Sequence, residues 1–598
     1  MKLLRAVLVI TIPAAYLAHV FQIFERGFWN AGLSYWLDPY FINALLEHWY
    51  VSLREGADPV SPPMYFPARK TLGYSHGLIL YVPFYVPLRL FLHPFHAYNW
   101  TIVLTIAAGI GCLYGLFRKL GLSLVESLIV TALFFTSRNV INEPTSAWTQ
   151  RVSVFLIPPI LLMLLLSTRL HGRRSRIVLA GFAGFVAALM YVQDFYTAHF
   201  ALLLVAAAAA AAAFVEGGVR RVGEAFRRFG TAQTPASWIA ACTAAIAMAW
   251  TWYLWMFGGG RINVLGVRIR SHDLWRPALI AVAALTAFAW LNRRFFRVPR
   301  LARPDPWWTA VTVGGTAGVL VFLWIYAGAY FEHRAFPEDH LLQQLLVREP
   351  SAWNSPMDVL RGLKGYDTLR PFTIAILLAV LAWIPQVGAG RRARMYGLWL
   401  AVVSGVVLLI PLRFPEFSLW RVLIEPLPGF AVIRDPKRIV YLYELAMALV
   451  TAVFMASLPA RSLSRTAVLL LVVGIMVTDR LPERFQYHRS VATYDRWVAA
   501  PITIDPSCRS FYMKGASRDY MSRTDNMWGL YSIDALFVAL EHGIPTLNGY
   551  SAWFPERWTL LNPHEAGYDE TVKRWIDLNA LTHVCELDID ARRMTRRY

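Results

Sequence analysis

Apolar runs of roughly twenty residues recur along most of this chain, the length an α-helix needs to cross a bilayer. They fall near 4–24, 97–117, 121–137, 152–168, 177–193, 197–215, 236–256, 276–291, 308–330, 371–387, 395–411, 437–457 and 464–478. That is about thirteen spans. The Ala-rich stretch Ala206–Ala213 offers a small-residue surface suited to close packing between them. From about residue 480 the pattern changes. Pro482, Pro501 and Pro506 punctuate a polar stretch, CRSFYM and THVCEL read as short strands, and DALFVALEHG and DETVKRWIDLNA read as helices, the first ended by Gly543. The pattern predicts an all-α polytopic membrane bundle over residues 1–479. A small α/β domain over 480–598, outside the cytoplasm, follows it.

Charge placement orients the bundle. The basic, apolar N-terminus has no small-residue cleavage site after it, so it reads as a retained first span that starts in the cytoplasm. With that start the inside loops carry Arg118-Lys119, Arg169–Arg176, Arg220–Arg228, Arg293–Arg303, Arg391–Arg394 and Arg461–Arg465, all basic. The outside loops are mixed and hold Glu143, Asp194, Glu332, Glu338 and Asp358 among other acids. This alternation follows the positive-inside rule only if Tyr74–His93 does not cross. That run contains Pro83, Pro87, Arg89 and His76, which suits an interfacial or re-entrant element. The first outside loop is then long, about residues 25–96. It contains an amphipathic surface helix near Pro39–Leu53, with Glu47 and His48 on its solvated face, and a Pro-rich connector.

Composition agrees. Of the 598 residues 57% are hydrophobic, too many for a dispersed soluble chain. The net charge of +20 sits in clusters between spans, where it sets orientation, so nucleic acid is not an expected partner. Cys112 and Cys242 lie in apolar runs. Cys508 and Cys585 fall in the polar C-terminal part, where a disulfide in an oxidising compartment and two buried thiols are both open readings.

A long first outside loop with an acid near its start, Asp38, and surface-lying helices is an arrangement with a family likeness. Further along come a span ending in Phe117-Arg118-Lys119-Leu120-Gly121, a span ending near Phe135-Thr136-Ser137, and a short outside loop with Glu143. Over roughly the first two hundred residues this order resembles the GT-C superfamily of membrane glycosyltransferases, which includes protein O-mannosyltransferases and lipid A aminoarabinose transferases. Leu427–Leu442 (LPGFAVIRDPKRIVYL) and Gly543–Trp558 (GIPTLNGYSAWFPERW) resemble a group of uncharacterised bacterial GT-C-like or YfhO-like membrane proteins. The resemblance implies a bacterial inner-membrane enzyme. It would take a sugar from a polyprenyl-phosphate donor on the outer face and pass it to a glycan, lipid or protein acceptor. It also implies that an acid in the first loop deprotonates the acceptor, and that Glu143 assists the acceptor or a divalent cation.

The chemistry asks for the same parts. Sugar transfer to a hydroxyl needs a base for the proton and cations for the departing phosphate. Asp38, walled by Tyr35, Trp36, Tyr40 and Phe41, is the candidate base; alternatively, Asp38-Pro39 simply caps the surface helix. Glu143, between Asn142 and Pro144, is also an ordinary turn residue. Candidate phosphate ligands are Arg69, Lys70 and His76 in the first loop, Arg151 at the start of the fourth span, and Arg434, Lys437 and Arg438 at the start of the twelfth. Snorkelling to headgroups is their plainer role. Asp194 reads as a structural turn acid, and LNGYSAWFP as either an acceptor contact or a packing surface. A transporter or assembly protein for lipid-linked glycans is the rival from another class, and a GT-C scaffold without activity a third reading. Transporters usually carry internal repeats and charged residues within spans. This sequence shows no repeat and its spans are nearly free of charge.

Overall fold

A computed structural model describes residues 2–33, 37–141, 149–215, 234–257, 260–264, 267–271, 275–291, 305–335, 378–380, 413–414, 417–418, 436–460, 462–478, 487–514, 528–551, 553–561 and 566–598, with single positions 390, 395, 397, 399, 410, 420, 433 and 563. Helix α1 (Lys2–Val20) leads into a polar segment of α2 (Arg26–Asn30), β1 (Ala31–Leu33), α3 (Leu37–Glu55), a 3₁₀ turn (Thr71–Tyr74) and α4 (Val82–Arg89). Next come α5 (Pro94–Lys119), α6 (Leu124–Phe135), a 3₁₀ helix (Thr149–Leu156) running into α7 (Ile157–Arg169), α8 (Arg173–Gln193) and α9 (Phe195–Val215). After α10 (Pro235–Phe257), the hairpin of β2 (Gly260–Val264) and β3 (Val267–Ser271) leads to α11 (Trp275–Leu291) and α12 (Pro306–Ala335). The short strands β4 (Arg413–Phe414) and β5 (Phe417–Ser418) and a 3₁₀ turn (Pro436–Ile439) precede α13 (Val440–Ser457) and α14 (Leu463–Thr478).

Five of the described helices are long and apolar enough to cross a membrane: Pro94–Lys119, Thr149–Arg169, Arg173–Gln193, Pro306–Ala329 and Val440–Ser457. Shorter apolar helices occupy Val9–Val20, Leu124–Phe135, Phe195–Ala206, Pro235–Thr251, Leu279–Phe288 and Leu463–Val477. The chain is a mostly helical membrane protein, and among the described residues five helices are long and apolar enough to cross where the pattern predicts about thirteen. The expected spans near 371–387 and 395–411 lie outside the described residues except at a few positions. Ile239, Leu279, Val313 and Leu470 are exposed, as lipid-facing side chains should be. Tyr74–His93 forms a turn and the eight-residue α4. At 1.5 Å per residue α4 spans roughly 12 Å, too short to cross.

Helix ends follow local chemistry. Gly121, at φ +97°, lets the chain leave α5 in the left-handed conformation that terminates helices. Ser123 then opens α6 with a capping box. Glu126 N–H donates to the Ser123 hydroxyl (3.4 Å) and Ser123 N–H donates to the Glu126 carboxylate (2.6 Å). Arg465 of α14 pairs with the same carboxylate at 2.5 Å, joining two helices at the basic side.

Helix α8 crosses α12 at close range, and glycine makes the approach possible. A Cβ on Gly314 would lie 1.9 Å from the Gly181 carbonyl oxygen, and one on Gly184 would lie 2.3 Å from that of Val311. Backbone cannot move aside as a side chain can. Gly314→Leu is therefore expected to cost about 3 kcal/mol or more, seen as a lower unfolding midpoint of the detergent-solubilised protein. An unchanged midpoint would show that the crossing is looser than this.

The expectation of a solvated face on the first-loop helix is overturned. Both faces of α3 are covered, and Glu47 and His48 are buried. Glu47 pairs with Arg89 of α4 (2.8 Å) and accepts a hydrogen bond from Tyr85 (2.6 Å). His48 Nε2–H donates to the Pro59 carbonyl (3.1 Å). The polar face exists as expected, but the rest of the loop takes the place of water on it. Burial pulls the His48 ring down to about 4, against the opposing Pro59 carbonyl and Asp58 charge. In the unfolded chain the ring titrates near 6.5. Above that value neither state is protonated and stability is full; as pH falls from 6.5 toward 4 only the unfolded chain takes up the proton. This one ring should therefore cost about 3 kcal/mol of stability across that window. Denaturation of wild type and His48→Gln at pH 7.5 and 4.5 checks this, the variant losing less.

The C-terminal α/β region begins with β6 (Tyr487–Ser490) and α15 (Val491–Trp497) and continues through β7 (Thr503–Ile504), β8 (Ser510–Met513), α16 (Trp528–His542), α17 (Tyr568–Leu578), β9 (Val584–Asp588) and β10 (Arg593–Arg596). The four-stranded sheet has the order β7-β10-β9-β8, with only the β9–β10 pair antiparallel. Cys508 and Cys585 are joined by a disulfide across the β8 edge, so of the two open readings the structure takes pairing. Gly543, at φ +68°, follows α16 as expected.

This region is fastened to the first loop. β6 pairs antiparallel with β1, Ala31 opposite Ser490. Tyr65 N–H donates to Asn548 O (3.1 Å), Phe66 N–H to Thr546 O (3.0 Å) and Thr546 N–H to Pro63 O (2.9 Å). Tyr40 donates to Asp534 (2.5 Å) and its ring stacks on Phe537. Gly549 admits the buried Tyr65 ring, which would stand 2.1 Å from a Cβ there. The LNGYSAWFP segment is thus a packing surface against the first loop, and that contact carries it to Asp38.

Candidate functional site

Asp38 lies inside the first turn of α3, where a carboxylate is favoured by the helix's positive end. It is half-buried, and Oδ1 accepts a hydrogen bond from the Tyr550 hydroxyl at 2.8 Å. Helix capping therefore does not exhaust its role: its carboxylate reaches a partner 512 residues away in sequence. The Tyr550 ring meets Phe41 edge-on at 5.2 Å. Its approach depends on Gly529, where a Cβ would fall 2.7 Å from that ring. Burial first, and then the Asp38 carboxylate, push the Tyr550 hydroxyl well above its ordinary value. It stays protonated and donates.

Asp194 is fully buried at the joint between α8 and α9. It accepts from Tyr196 N–H and Thr197 N–H, each at 3.2 Å, and from the Thr197 hydroxyl. That hydroxyl is 3.1 Å from the Tyr441 hydroxyl at the head of α13. Asp194 Oδ1 also stands 3.7 Å from His76 Nδ1. His76 packs against Phe195 with ring centroids 5.5 Å apart. Burial holds the His76 ring below its usual value; the charges of Asp194 and Asp38 oppose that shift and Arg438 reinforces it. The ring is neutral at neutral pH and lies within electrostatic reach of both carboxylates and one arginine.

Two arginines complete the cluster. Arg438, in the 3₁₀ turn ahead of α13, is half-buried with its guanidinium over the Tyr196 ring at 5.2 Å. Arg151, in the 3₁₀ helix ahead of α7, is buried to 1% exposure. The charges of Asp194, Arg151 and Arg438 all act on Tyr441. Tyr98 of α5, bonded to Thr149 at 2.5 Å, feels the charge of Asp38. His76 and Asp194 meet directly, Asp38 and Arg438 lie within electrostatic reach of His76, and Arg151 within that of Tyr441; the five charged or ionisable groups come from five separate parts of the chain.

Arg69 and Lys70 are exposed on the connector before the 3₁₀ turn, with Lys70 N–H bonded to Ser61 Oγ. Glu143 and Arg434 lie outside the described residues, as does the side chain of Lys437. Among the described residues, no group of three or more His, Cys, Asp and Glu side chains could hold a metal ion.

Sequence pattern alone does not single out Asp194, Tyr550 or Glu444 as site residues. Asp194 does carry a signal: Asp followed three residues later by Thr at the start of an apolar run is a helix-start pattern that fixes a carboxylate. Tyr550 has none beyond its aromatic surroundings. Glu444 corrects the expectation of nearly charge-free spans. It is buried to 1% exposure inside α13 and accepts from Ser137 Oγ (2.9 Å) and Asn139 Nδ2 (3.1 Å). It thereby ties α13 to the stretch that follows α6.

No protein-family model matches the sequence, and no curated protein matches it either. Among solved structures, the archaeal oligosaccharyltransferase AglB from Archaeoglobus fulgidus, in complex with an inhibitory peptide and a dolichol-phosphate, superposes with a TM-score of 0.42 and 11% identity, over 97% of this chain and 69% of that one. The apo form of the Archaeoglobus fulgidus oligosaccharyltransferase gives a TM-score of 0.33 and 13% identity, over 96% and 68%. Both superpositions are loose.

Proposed function

We propose that this chain is an integral membrane glycosyltransferase of the GT-C type. It transfers a sugar from a polyprenyl-phosphate donor to an acceptor hydroxyl on the extracytoplasmic face of a bacterial inner membrane, with Asp38 as general base. About thirteen spans and an extracytoplasmic unit from about residue 480 belong to the same reading. The observation that carries it is the half-buried Asp38 carboxylate, held by Tyr550 and within electrostatic reach of His76, as Arg438 also is.

The roles follow from charge. Asp38 takes the proton of the acceptor hydroxyl as the acceptor oxygen attacks the anomeric carbon. The bond from that carbon to the phosphate oxygen breaks, and the electron pair leaves on the lipid phosphate. Arg438 and Arg151, with Arg434 and Lys437 beside the former in sequence, hold that phosphate as its charge grows. Arg69 and Lys70, exposed on the connector, attract the anionic headgroup from farther away. Glu143 contacts the acceptor, and a divalent cation bound beside it would further neutralise the phosphate.

The test is a cell in which this protein is needed for a lipid-linked-sugar-dependent glycoconjugate, complemented with Asp38→Asn. Loss of product at unchanged protein level supports the assignment. Normal product removes Asp38 from the mechanism, and with it the reason for preferring an enzyme to a transporter or an inert scaffold.

A further inference from the structure

We propose that His76, oriented by Asp194, is a second proton carrier in this site: it receives the proton that Asp38 takes from the acceptor and delivers it to the departing lipid phosphate. This rests on the glycosyltransferase reading above and adds a catalytic residue, His76, and a positioning residue, Asp194.

The geometry is that of a carboxylate steering an imidazole. Asp194 is locked, since the Tyr196 and Thr197 amides and the Thr197 hydroxyl already hold its two oxygens. Its Oδ1 faces His76 Nδ1 at 3.7 Å, and that nitrogen is shielded from solvent without a hydrogen-bond partner. Catalytic hydrogen bonds of this kind are often long without substrate and tighten when it binds. With Nδ1 committed to Asp194, Nε2 is the atom left to exchange a proton. The side chain keeps 21% exposure, so the ring is not sealed away. The charged groups within electrostatic reach of it are Asp194 from the end of α8, Asp38 from α3 and Arg438 from the turn ahead of α13.

The proton balance closes. The proton starts on the acceptor hydroxyl, passes to Asp38 and then to His76, and ends on the lipid phosphomonoester, whose second pKa is near 6. A neutral imidazole within reach of two carboxylates can accept it, and an imidazolium beside a new phosphomonoester can give it up. Returning the proton in this way resets Asp38 for another turnover.

The test uses the full chain in lipid nanodiscs, labelled with ¹⁵N-histidine, and farnesyl phosphate as a short lipid phosphomonoester probe. His76→Gln assigns the ring signal. Calorimetry in two buffers of different ionisation enthalpy follows binding and proton uptake together. At pH 7.5 the His76 nitrogens should move toward imidazolium as the probe saturates, with uptake of about one proton per probe bound. His76→Gln should bind the probe and lose the uptake, and Asp194→Asn should move the uptake to lower pH. Binding to wild type with the ring unmoved, or uptake that persists in His76→Gln, overturns the relay and leaves the glycosyltransferase reading standing. Failure of the wild type to bind the probe removes both.

Discussion

Asp38→Asn is expected to lower sugar transfer by roughly 10²- to 10⁴-fold, the usual contribution of a positioned general base, while leaving the fold in place. The carboxamide is isosteric, and its oxygen can still accept the Tyr550 hydroxyl that now bonds Asp38 at 2.8 Å. What it cannot do is take a proton. The deciding measurement is initial transfer rate in membranes matched for protein level, beside the unfolding midpoint. A rate within about threefold of wild type would leave too little for base catalysis to explain, and Asp38 would revert to a helix-start acid. Tyr550→Phe separates the two duties of the contact. It removes the donor without touching the carboxylate, so it should cost far less than Asp38→Asn.

Arg438→Gln carries the second large effect, a fall of about 10- to 100-fold in kcat/KM for the donor, because hydrogen bonds to charged groups contribute about 1.5–3 kcal/mol. The guanidinium is half-buried, lies over the Tyr196 ring and is within electrostatic reach of His76, so water screens it poorly. The double change Arg69→Ala, Lys70→Ala provides the contrast. Both side chains are exposed, and exposed charges contribute about 0–1 kcal/mol and weaken with salt. The pair should lose only a few-fold, and only at low ionic strength. Equal losses from Arg438→Gln and the connector pair would mean that the phosphate sits elsewhere.

The apolar runs and the basic loops between them mark the helices because membrane insertion is read locally, one span at a time. The Pro-rich Tyr74–His93 stretch is a good example. Its prolines and Arg89 are enough to predict an element that does not cross, and α4, at eight residues, is too short to do so. Asp38, His76, Arg151 and Arg438 are legible as candidates for a related reason: charged groups beside apolar spans are costly and stand out. Their assembly is not legible. Asp194 reads as a turn residue, and Glu47 and His48 read as solvated, because the surroundings of each are supplied by neighbours tens to hundreds of residues away.

The sequence by itself determined the membrane class, the position of most helices, the strands and helices of the C-terminal part, and a short set of ionisable residues. Each rests on periodicity or charge within a window of about twenty residues. Only the tertiary structure decided that Tyr550 caps Asp38, that Asp194 faces His76, and that α3 is enclosed rather than washed by solvent. The Tyr550 contact and the cover over α3 draw on glycines at Gly529 and Gly549 that let rings through, and on strand pairing between Ala31 and Ser490. Long-range fits of this kind leave no periodic trace in the residues that make them, because the same residue types pack equally well against many other surfaces.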